Sequence, residues 1–382
     1  MARLDDVFSA ELDRLAAHGL RRSLSTSTPG AARNFASNDY LGLARHPLLA
    51  ERAAAYAAEY GAGATASRLV CGSFPPHAAL ETRLAGLKGK PSALLLGTGW
   101  QANVAVLATV LRAAGAGAQL FSDALNHNSL IQGARLAGVR ARIFRHNDLA
   151  HLATLLGASP AGRKLIVTES VFSMDGDRAD IAALADLAAR YDAFLYVDEA
   201  HATGVLGPGG AGLCAGIPGV DVVMGTCGKA LGGFGAYVAG SRALIDYLTN
   251  ACAGFVFTTA PPPPVLGALD AALDLLPGMD AARARLAANA ARVRAAFAAV
   301  GIDTAGSTTQ IVPAVIGSAQ AALEFAAGLR ARGILAVAIR PPTVPEGTAR
   351  IRFAVSAAHD DAAIDALIGE VTALWRMRRQ AA

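Results

Sequence analysis

Residues 193–201 read Ala-Phe-Leu-Tyr-Val-Asp-Glu-Ala-His, an apolar run that ends in two carboxylates and a histidine. The short apolar run predicts a buried strand over 193–197. Asp198, Glu199 and His201 follow directly after it, where a buried charge is costly unless it is paired or used. The stretch therefore predicts a strand that carries a functional site at its carboxyl end.

Short apolar runs of this kind recur on both sides and alternate with helical patterns. The predicted strands are 92–96, 119–122, 139–144, 165–168, 193–197, 220–224 and 236–239. Between most of them lie predicted helices at 100–113, 128–136, 148–157 and 180–190. Alternation over about 150 residues predicts an α/β fold with a mainly parallel sheet covered on both faces. Ligands of such sheets bind at the carboxyl ends of the strands.

The flanking segments predict a division into three parts. Residues 1–45 are expected to form an N-terminal helix and arm, 46–278 a large domain, and 279–382 a smaller α+β C-terminal domain. Four consecutive prolines at 261–264 are interpreted as a hinge before the last part.

Composition excludes several classes of protein. Of 382 residues, 53% are hydrophobic and 17% are charged, which argues against disorder. The net charge of +4 is mild, and no Lys/Arg run is interleaved with aromatic residues, so a nucleic-acid partner is not expected. Two long stretches lack charge, 91–111 and 247–269, and neither resembles a membrane span. The acidic N-terminus does not resemble a signal peptide, and the four cysteines match no zinc or CxxC spacing, so a cytoplasmic protein without a metal site is expected.

A glycine turn follows the strand predicted at 92–96. Residues 97–102 read Gly-Thr-Gly-Trp-Gln-Ala and fit the dinucleotide fingerprint, with Asp123 about twenty residues further on. An NAD-dependent oxidoreductase is therefore one hypothesis. The broader interpretation is a turn that opens a helix and offers free N–H groups to a phosphate.

Lysine is scarce, which makes one lysine conspicuous. Lys229 lies in a glycine-rich segment with no charged neighbour between Asp221 and Arg242. Burial lowers the pKa of a lysine and makes its amine nucleophilic, as Schiff-base chemistry requires. The other lysines, Lys88, Lys90 and Lys164, are expected to be solvated.

An Asp at one strand end and a Lys about thirty residues later are the pattern of a pyridoxal-phosphate (PLP) enzyme. The sequence resembles the α-oxoamine synthases in the order and spacing of five segments, namely 38–43, 67–68, 172–177, 198–201 and 226–229. The resemblance covers nearly the whole chain. It implies PLP-dependent fold type I, similar to aspartate aminotransferase, and the joining of an amino acid to an acyl thioester with loss of CO2.

The resemblance also implies roles for individual residues. Lys229 would bond covalently to PLP, Asp198 would pair with the pyridine nitrogen, and His127 would stack on the ring. The remaining cofactor contacts implied are Ser173 and His201 near the ring oxygen, and Gly99, Trp100 and Thr226 at the phosphate.

Two further implications concern the second subunit and the substrates. Thr258 and Thr259 would reach the phosphate of the other subunit, which implies a homodimer with shared active sites. Arg352 would bind the amino acid carboxylate, and Arg21 would lie near a carboxylate of the acyl chain.

Residues 339–352 most resemble the biotin-pathway branch of the family, which condenses L-alanine with a pimeloyl thioester. The sequence does not separate a CoA donor from an acyl-carrier-protein donor. A glycine C-acetyltransferase is the alternative within the family.

Overall fold

A seven-stranded sheet forms the core of the larger of two compact units in the chain. The structure is a computed structural model and describes residues 3–24, 26 and 33–381. The strands are β1 (Arg33–Asn34), β2 (Ser92–Leu96), β3 (Gln119–Asp123), β4 (Arg142–Phe144), β5 (Lys164–Glu169), β6 (Ala193–Asp198), β7 (Val222–Thr226), β8 (Ala236–Gly240), β9 (Ile311–Gly317), β10 (Ile334–Leu335), β11 (Val337–Ile339) and β12 (Ala349–Ala354).

The helices lie between and around these strands. They are α1 (Leu4–Ala17), α2 (Pro47–Tyr60), α3 (Pro75–Lys88), α4 (Gly99–Ala114), α5 (Asn128–Leu136), α6 (Leu149–Gly157), α7 (Ile181–Arg190), α8 (Arg242–Ala251), α9 (Ala253–Val256), α10 (Pro263–Leu275), α11 (Asp280–Ala299), α12 (Ala319–Ala331) and α13 (Asp361–Ala381). In the part of the chain that is described, none of them is both long and apolar enough to cross a bilayer.

The larger unit comprises Asn38–Ser173 and Arg178–Arg285. Its sheet has the strand order β2-β8-β7-β6-β5-β3-β4. Strand β8 runs antiparallel to both of its neighbours, and the other strands share one direction. The mainly parallel sheet predicted from the sequence is therefore confirmed.

Both faces of this sheet are covered, as a parallel sheet requires. Buried residues of α4, α5 and α8 pack on one face around Leu107 and Tyr196. Buried residues of α6 and α7 pack on the other face around Ile166 and Leu195. The apolar strands are thus buried on both sides, which is why they read as continuous apolar runs rather than as alternating patterns.

The smaller unit comprises Met1–Ser37, Met174–Asp177 and Leu286–Ala382. It contains a three-stranded antiparallel sheet in the order β11-β12-β9, and β1 pairs with β10 in parallel. Phe297 of α11 meets Phe353 of β12 edge to face, with ring centroids 5.6 Å apart. This is the α+β part expected towards the C-terminus, joined by the N-terminal segment. The division at residues 45 and 278 stays a prediction.

The proline block does not end the larger unit. Pro263 and Pro264 occupy the first turn of α10, where a missing N–H costs nothing and the fixed φ suits a helix. Helices α8, α9 and α10 were not predicted, because this stretch has few charges to mark a polar face. Residues 334–339 contain two short strands, β10 and β11, which pair with β1 and β12 respectively.

Candidate active site

The carboxyl ends of β2, β3, β5, β6 and β7 lie along one edge of the large sheet, because these strands share a direction. The residues that follow them include most of the sequence-predicted cofactor contacts. Gly99 and Trp100 follow β2, His127 follows β3, and Ser173 follows β5. Asp198 ends β6 and is followed by His201, and Thr226 ends β7 and is followed by Lys229. The sheet therefore brings together segments from five separate parts of the chain.

Asp198 ends β6 and is buried, with 4% of its surface exposed. Its Oδ2 accepts a hydrogen bond from Asn103 Nδ2 at 2.7 Å, and its Oδ1 accepts one from the Ala200 amide at 2.8 Å. Among the described residues it forms no salt bridge. A buried, oriented carboxylate with no cation bonded to it fits a protonated ring nitrogen as its partner.

Asn103, on α4, connects three side chains and was missed by the sequence analysis. Besides Asp198, its Nδ2 donates to Ser129 Oγ at 2.8 Å, and its Oδ1 accepts from Tyr196 OH at 2.9 Å. All four side chains are buried. A lone Asn inside an apolar helix pattern was the available signal, since such a buried amide needs partners.

His127 lies in the same network, at the start of α5. Its Nδ1 accepts from the Ser129 amide at 3.2 Å and lies 2.7 Å from Ser129 Oγ, which assigns the proton of the neutral ring to Nε2. Burial lowers the pKa of His127, the Asp198 carboxylate opposes that shift, and Lys229 adds to it. The ring is thus held neutral between an anionic and a cationic group, which suits stacking on a flat ligand.

Lys229 is half-buried and follows β7. Its Nζ donates to Thr226 Oγ1 at 3.4 Å. Thr226 also faces the first turn of α4, because a Cβ built on Gly99 would lie 2.7 Å from Thr226 Cγ2. Glycine at position 99 therefore allows the helix to begin against the end of the strand. The first-turn N–H groups of Gly99 and Trp100, with the Thr226 hydroxyl, fit a phosphate.

Glu169, at the end of β5, is a second residue that sequence analysis did not single out. Its Oε1 accepts from the His127 amide at 2.5 Å, and it is 3% exposed. Burial raises the pKa of Glu169 well above its usual value, and the Asp198 charge raises it further. Both effects favour the protonated form of the Glu169 carboxyl group.

His201 and Ser173 are both buried in the larger unit. His201 Nδ1 lies 2.7 Å from the hydroxyl of Tyr40, which donates to Asn38 Oδ1 at 3.0 Å. The Tyr40 hydroxyl therefore links the His201 ring to the Asn38 side chain.

The expectation that the other lysines are solvated is wrong for Lys88. Its side chain is fully buried, and its Nζ donates to Glu199 Oε2 at 2.7 Å, Thr203 Oγ1 at 2.9 Å and Ala211 O at 2.6 Å. Burial opposes its charge, but Glu199 outweighs burial and holds the pKa of Lys88 above its usual value. Lys88 is therefore a structural cation and not a nucleophile.

The dinucleotide interpretation is also wrong. In the sheet, β3 with Asp123 is separated from β2 by four strands, whereas the fingerprint needs both in one βαβ unit. Asp123 instead accepts hydrogen bonds from the amides of Leu125 and Asn147 and contacts His146 Nδ1 at 2.9 Å. The Asp123 carboxylate is therefore engaged in hydrogen bonds to neighbouring residues of the fold.

Four further predicted residues do not follow the parallel strands of the large sheet. In the larger unit, Thr258 is half-buried, and Thr259 is exposed and forms an isolated bridge with Ser67. In the smaller unit, Arg352 is a buried residue of β12 opposite Val337, and Arg21 is exposed after α1. The roles of these four residues stay predictions.

Comparison with known proteins defines the class. The family model "Aminotransferase class I and II" matches residues 33–371. The chain belongs to this family and, within it, to the PLP-dependent α-oxoamine synthases, a class of acyltransferases with the type I fold, as the sequence predicts.

More particular relatives are similar over nearly the whole chain. A putative 8-amino-7-oxononanoate synthase of Bordetella bronchiseptica is 59% identical and covers 100% of both chains. The 8-amino-7-oxononanoate synthase of Gluconacetobacter diazotrophicus is 55% identical over 96% of each chain. Among solved structures, serine palmitoyltransferase with PLP is 27% identical, with a TM-score of 0.89 and 97% of each chain covered.

Proposed function

We propose that the chain condenses L-alanine with a pimeloyl thioester, giving 8-amino-7-oxononanoate, CO2 and the free thiol carrier, in biotin synthesis. One observation carries the chemistry: Lys229, Asp198 and His127 converge at the edge of the large sheet, where both charges act on the histidine. The choice of substrates is supported by relatives named 8-amino-7-oxononanoate synthase at up to 59% identity.

The cofactor of this reaction is PLP, and the residues present fit it. The Gly99 turn and Thr226 suit its phosphate, the buried carboxylate of Asp198 suits its ring nitrogen, and the Lys229 amine suits its aldehyde carbon. Bound PLP supplies an electron sink that stabilises negative charge on the α-carbon of an amino acid.

The protein's own groups then have separate tasks. Asp198, oriented by Asn103 and the Ala200 amide, holds a proton on the ring nitrogen. His127, in its neutral form, would stack on the PLP ring, and His201 and Ser173 would hold the ring oxygen. Arg352 binds the alanine carboxylate, since a guanidinium holds a carboxylate in a fixed orientation.

Lys229 Nζ acts as the base that takes the α-proton of alanine. The α-carbon then bonds to the thioester carbonyl carbon, and the carbon–sulfur bond breaks as the thiol leaves. The carboxylate that came from alanine departs as CO2, and a proton returns to the α-carbon. Arg21 is proposed to contact the acyl donor.

The active sites are proposed to be shared between two subunits. Thr258 and Thr259 follow Phe257, whose side chain is 85% exposed, and Thr259 forms a bridge with Ser67, three residues before Val70, which is 78% exposed. Exposed apolar side chains next to a predicted phosphate contact support an interface at this place. Mixing Lys229→Ala subunits with Thr258→Ala/Thr259→Ala subunits tests this, because each heterodimer regains one intact site. Activity no higher than that of either parent would argue for sites built from one chain.

The substrate proposal is tested by a panel of alanine, glycine and serine against pimeloyl, acetyl, succinyl and palmitoyl thioesters. We expect the highest kcat/KM for alanine with a pimeloyl thioester. Pimeloyl-CoA and pimeloyl-acyl carrier protein are compared in the same assay to identify the carrier. Preference for glycine with acetyl-CoA would contradict the proposal and indicate a glycine C-acetyltransferase.

A further inference from the structure

One side chain spans the turn between β2 and α4, whose N–H groups fit a phosphate. Gln101 Oε1 accepts a hydrogen bond from the Gly97 amide at 2.7 Å. The first turn of α4 is capped separately, because Thr98 Oγ1 accepts from the Gln101 amide at 3.1 Å. The Gln101 side chain therefore fixes the shape of this turn in addition to the cap of the helix.

The other end of the same side-chain amide contacts a distant part of the larger unit. Gln101 Nε2 donates to the carbonyl oxygen of Gly254, in α9. Thr258 and Thr259, the predicted contacts to the phosphate of the other subunit, follow four and five residues later. One side chain thus bonds both to the phosphate-fitting turn and to the segment that leads to these threonines.

The backbone allows α9 to lie close to α4 at this place. A Cβ built on Gly254 would lie 2.5 Å from Ala105 Cβ, so a larger residue would push α9 away from α4. Beyond Gly254, the Phe257 amide donates to the Ala253 carbonyl oxygen at 3.1 Å. Because this turn stays hydrogen-bonded up to Phe257, the position of Gly254 determines where the next residue, Thr258, begins.

We propose that Gln101 is a positioning residue for both parts of the cofactor's phosphate site. In its own subunit it holds the turn at Gly97. Through Gly254 it holds the segment that its subunit supplies to the partner's site. This rests on the proposed function, in which Thr258 and Thr259 complete the phosphate site of the other subunit. Loss of the Gln101 amide therefore weakens PLP binding in two places, at the site of the altered subunit and at the site of its partner.

Heterodimers with one cofactor lysine separate the two effects. One subunit carries Lys229→Ala, so the visible absorbance of lysine-bound PLP reports only the site of the other subunit. Gln101→Met is placed either on the subunit that retains Lys229 or on the Lys229→Ala subunit. Each pair is isolated through two different affinity tags, stripped of cofactor and titrated with PLP. Both pairs should bind PLP about three- to tenfold more weakly than the pair without Gln101→Met, because one hydrogen bond is lost at each place.

Two control variants show which interaction is responsible. Thr109→Val removes another polar side chain of α4, which interacts with Cys252 before α9, but it leaves the Gly97 hydrogen bond in place. It should bind PLP like the parent. Thr258→Ala/Thr259→Ala on the Lys229→Ala subunit shows whether the segment contributes to the other site, and it should weaken PLP binding there.

Three results would overturn the inference. The first is unchanged PLP binding in both Gln101→Met pairs. The second is a loss confined to the site of the altered subunit, in dimers whose threonine variant does weaken the partner's site. The third is an equal loss with Thr109→Val.

Hydrogen exchange of the cofactor-free proteins separates this inference from the proposed function, because it requires neither PLP nor turnover. In Gln101→Met, the Gly97 amide and the amides of residues 255–257 should exchange at least about threefold faster than in the parent. Thr109→Val should leave the Gly97 amide as protected as in the parent. If the threonine variant has no effect on the partner's site, the proposal of shared sites fails. Hydrogen exchange then tests whether Gln101 holds the two segments, and unchanged exchange in either segment would overturn that role.

Discussion

Replacing Asn103 with leucine tests whether Asn103 orients the carboxylate of Asp198, the predicted partner of the cofactor's ring nitrogen. Leucine has about the same volume as asparagine but lacks the amide group that donates to Asp198 Oδ2 at 2.7 Å. A hydrogen bond to a charged group contributes about 1.5–3 kcal/mol. If that contribution is made in the transition state, kcat/KM should fall by about 10- to 100-fold, since about 1.4 kcal/mol corresponds to a factor of ten.

The same substitution also lowers stability, and the two effects can be separated. Asn103→Leu leaves the buried Tyr196 hydroxyl without its acceptor, which costs about 1–3 kcal/mol in the free energy of unfolding. Adding Tyr196→Phe removes the orphaned hydroxyl. The double variant should therefore regain stability in urea unfolding but not activity.

Steady-state kinetics of the condensation and exchange of the alanine α-proton both report this effect. Thr109→Val on the same helix is the matched control, because the Thr109 hydroxyl donates to Ala105 O within α4 and otherwise interacts with Cys252 rather than with Asp198. Wild-type proton exchange in Asn103→Leu would refute the orienting role. Activity that returns with Tyr196→Phe would show that the loss was one of stability alone.

Three further outcomes follow from the structure. Gly99→Ala should weaken PLP binding about tenfold in titrations of the apoenzyme, since its Cβ would lie 2.7 Å from Thr226 Cγ2; unchanged affinity would contradict the phosphate site. Lys88→Met should cost about 3–5 kcal/mol in urea unfolding, because it leaves Glu199 buried and unpaired, and Glu199→Gln in the same chain should recover part of that loss. His77 is fully buried, and its pKa is lowered to about 4. As the pH falls from 6.5 towards 4, the His77 ring therefore takes up a proton in the unfolded chain but not in the folded protein. Unfolding free energy should therefore fall by up to about 3 kcal/mol over that range, and His77→Gln should show a correspondingly flatter profile.

The sheet was predictable because its strands are buried on both faces. Each one is a short apolar run between helical patterns, and β2 spans the predicted residues 92–96 without change. Polar residues at strand ends, such as those at 198–201, could be recognised as candidates because they interrupt an apolar pattern. Parallel strands then place these interruptions at one edge.

Other features depend on contacts between distant parts of the chain. Lys88 looks solvated in the sequence because its partner, Glu199, is 111 residues away. Asn103 and Tyr196 lie inside apolar elements, and only the packing of α4 on β6 shows that they meet. The prolines at 261–264 suggested a hinge, because nothing else in the sequence marks the first turn of α10, in which Pro263 and Pro264 lie.

Chemical trapping measures whether Lys229 is the lysine that bonds to the cofactor. Borohydride reduction of the PLP-loaded protein fixes the cofactor to whichever lysine it has joined, and peptide mapping by mass spectrometry then locates that lysine. We predict a single label on Lys229, and no label in Lys229→Ala treated in the same way. A label on Lys88, Lys90 or Lys164 in the parent protein would show that Lys229 is not the cofactor lysine.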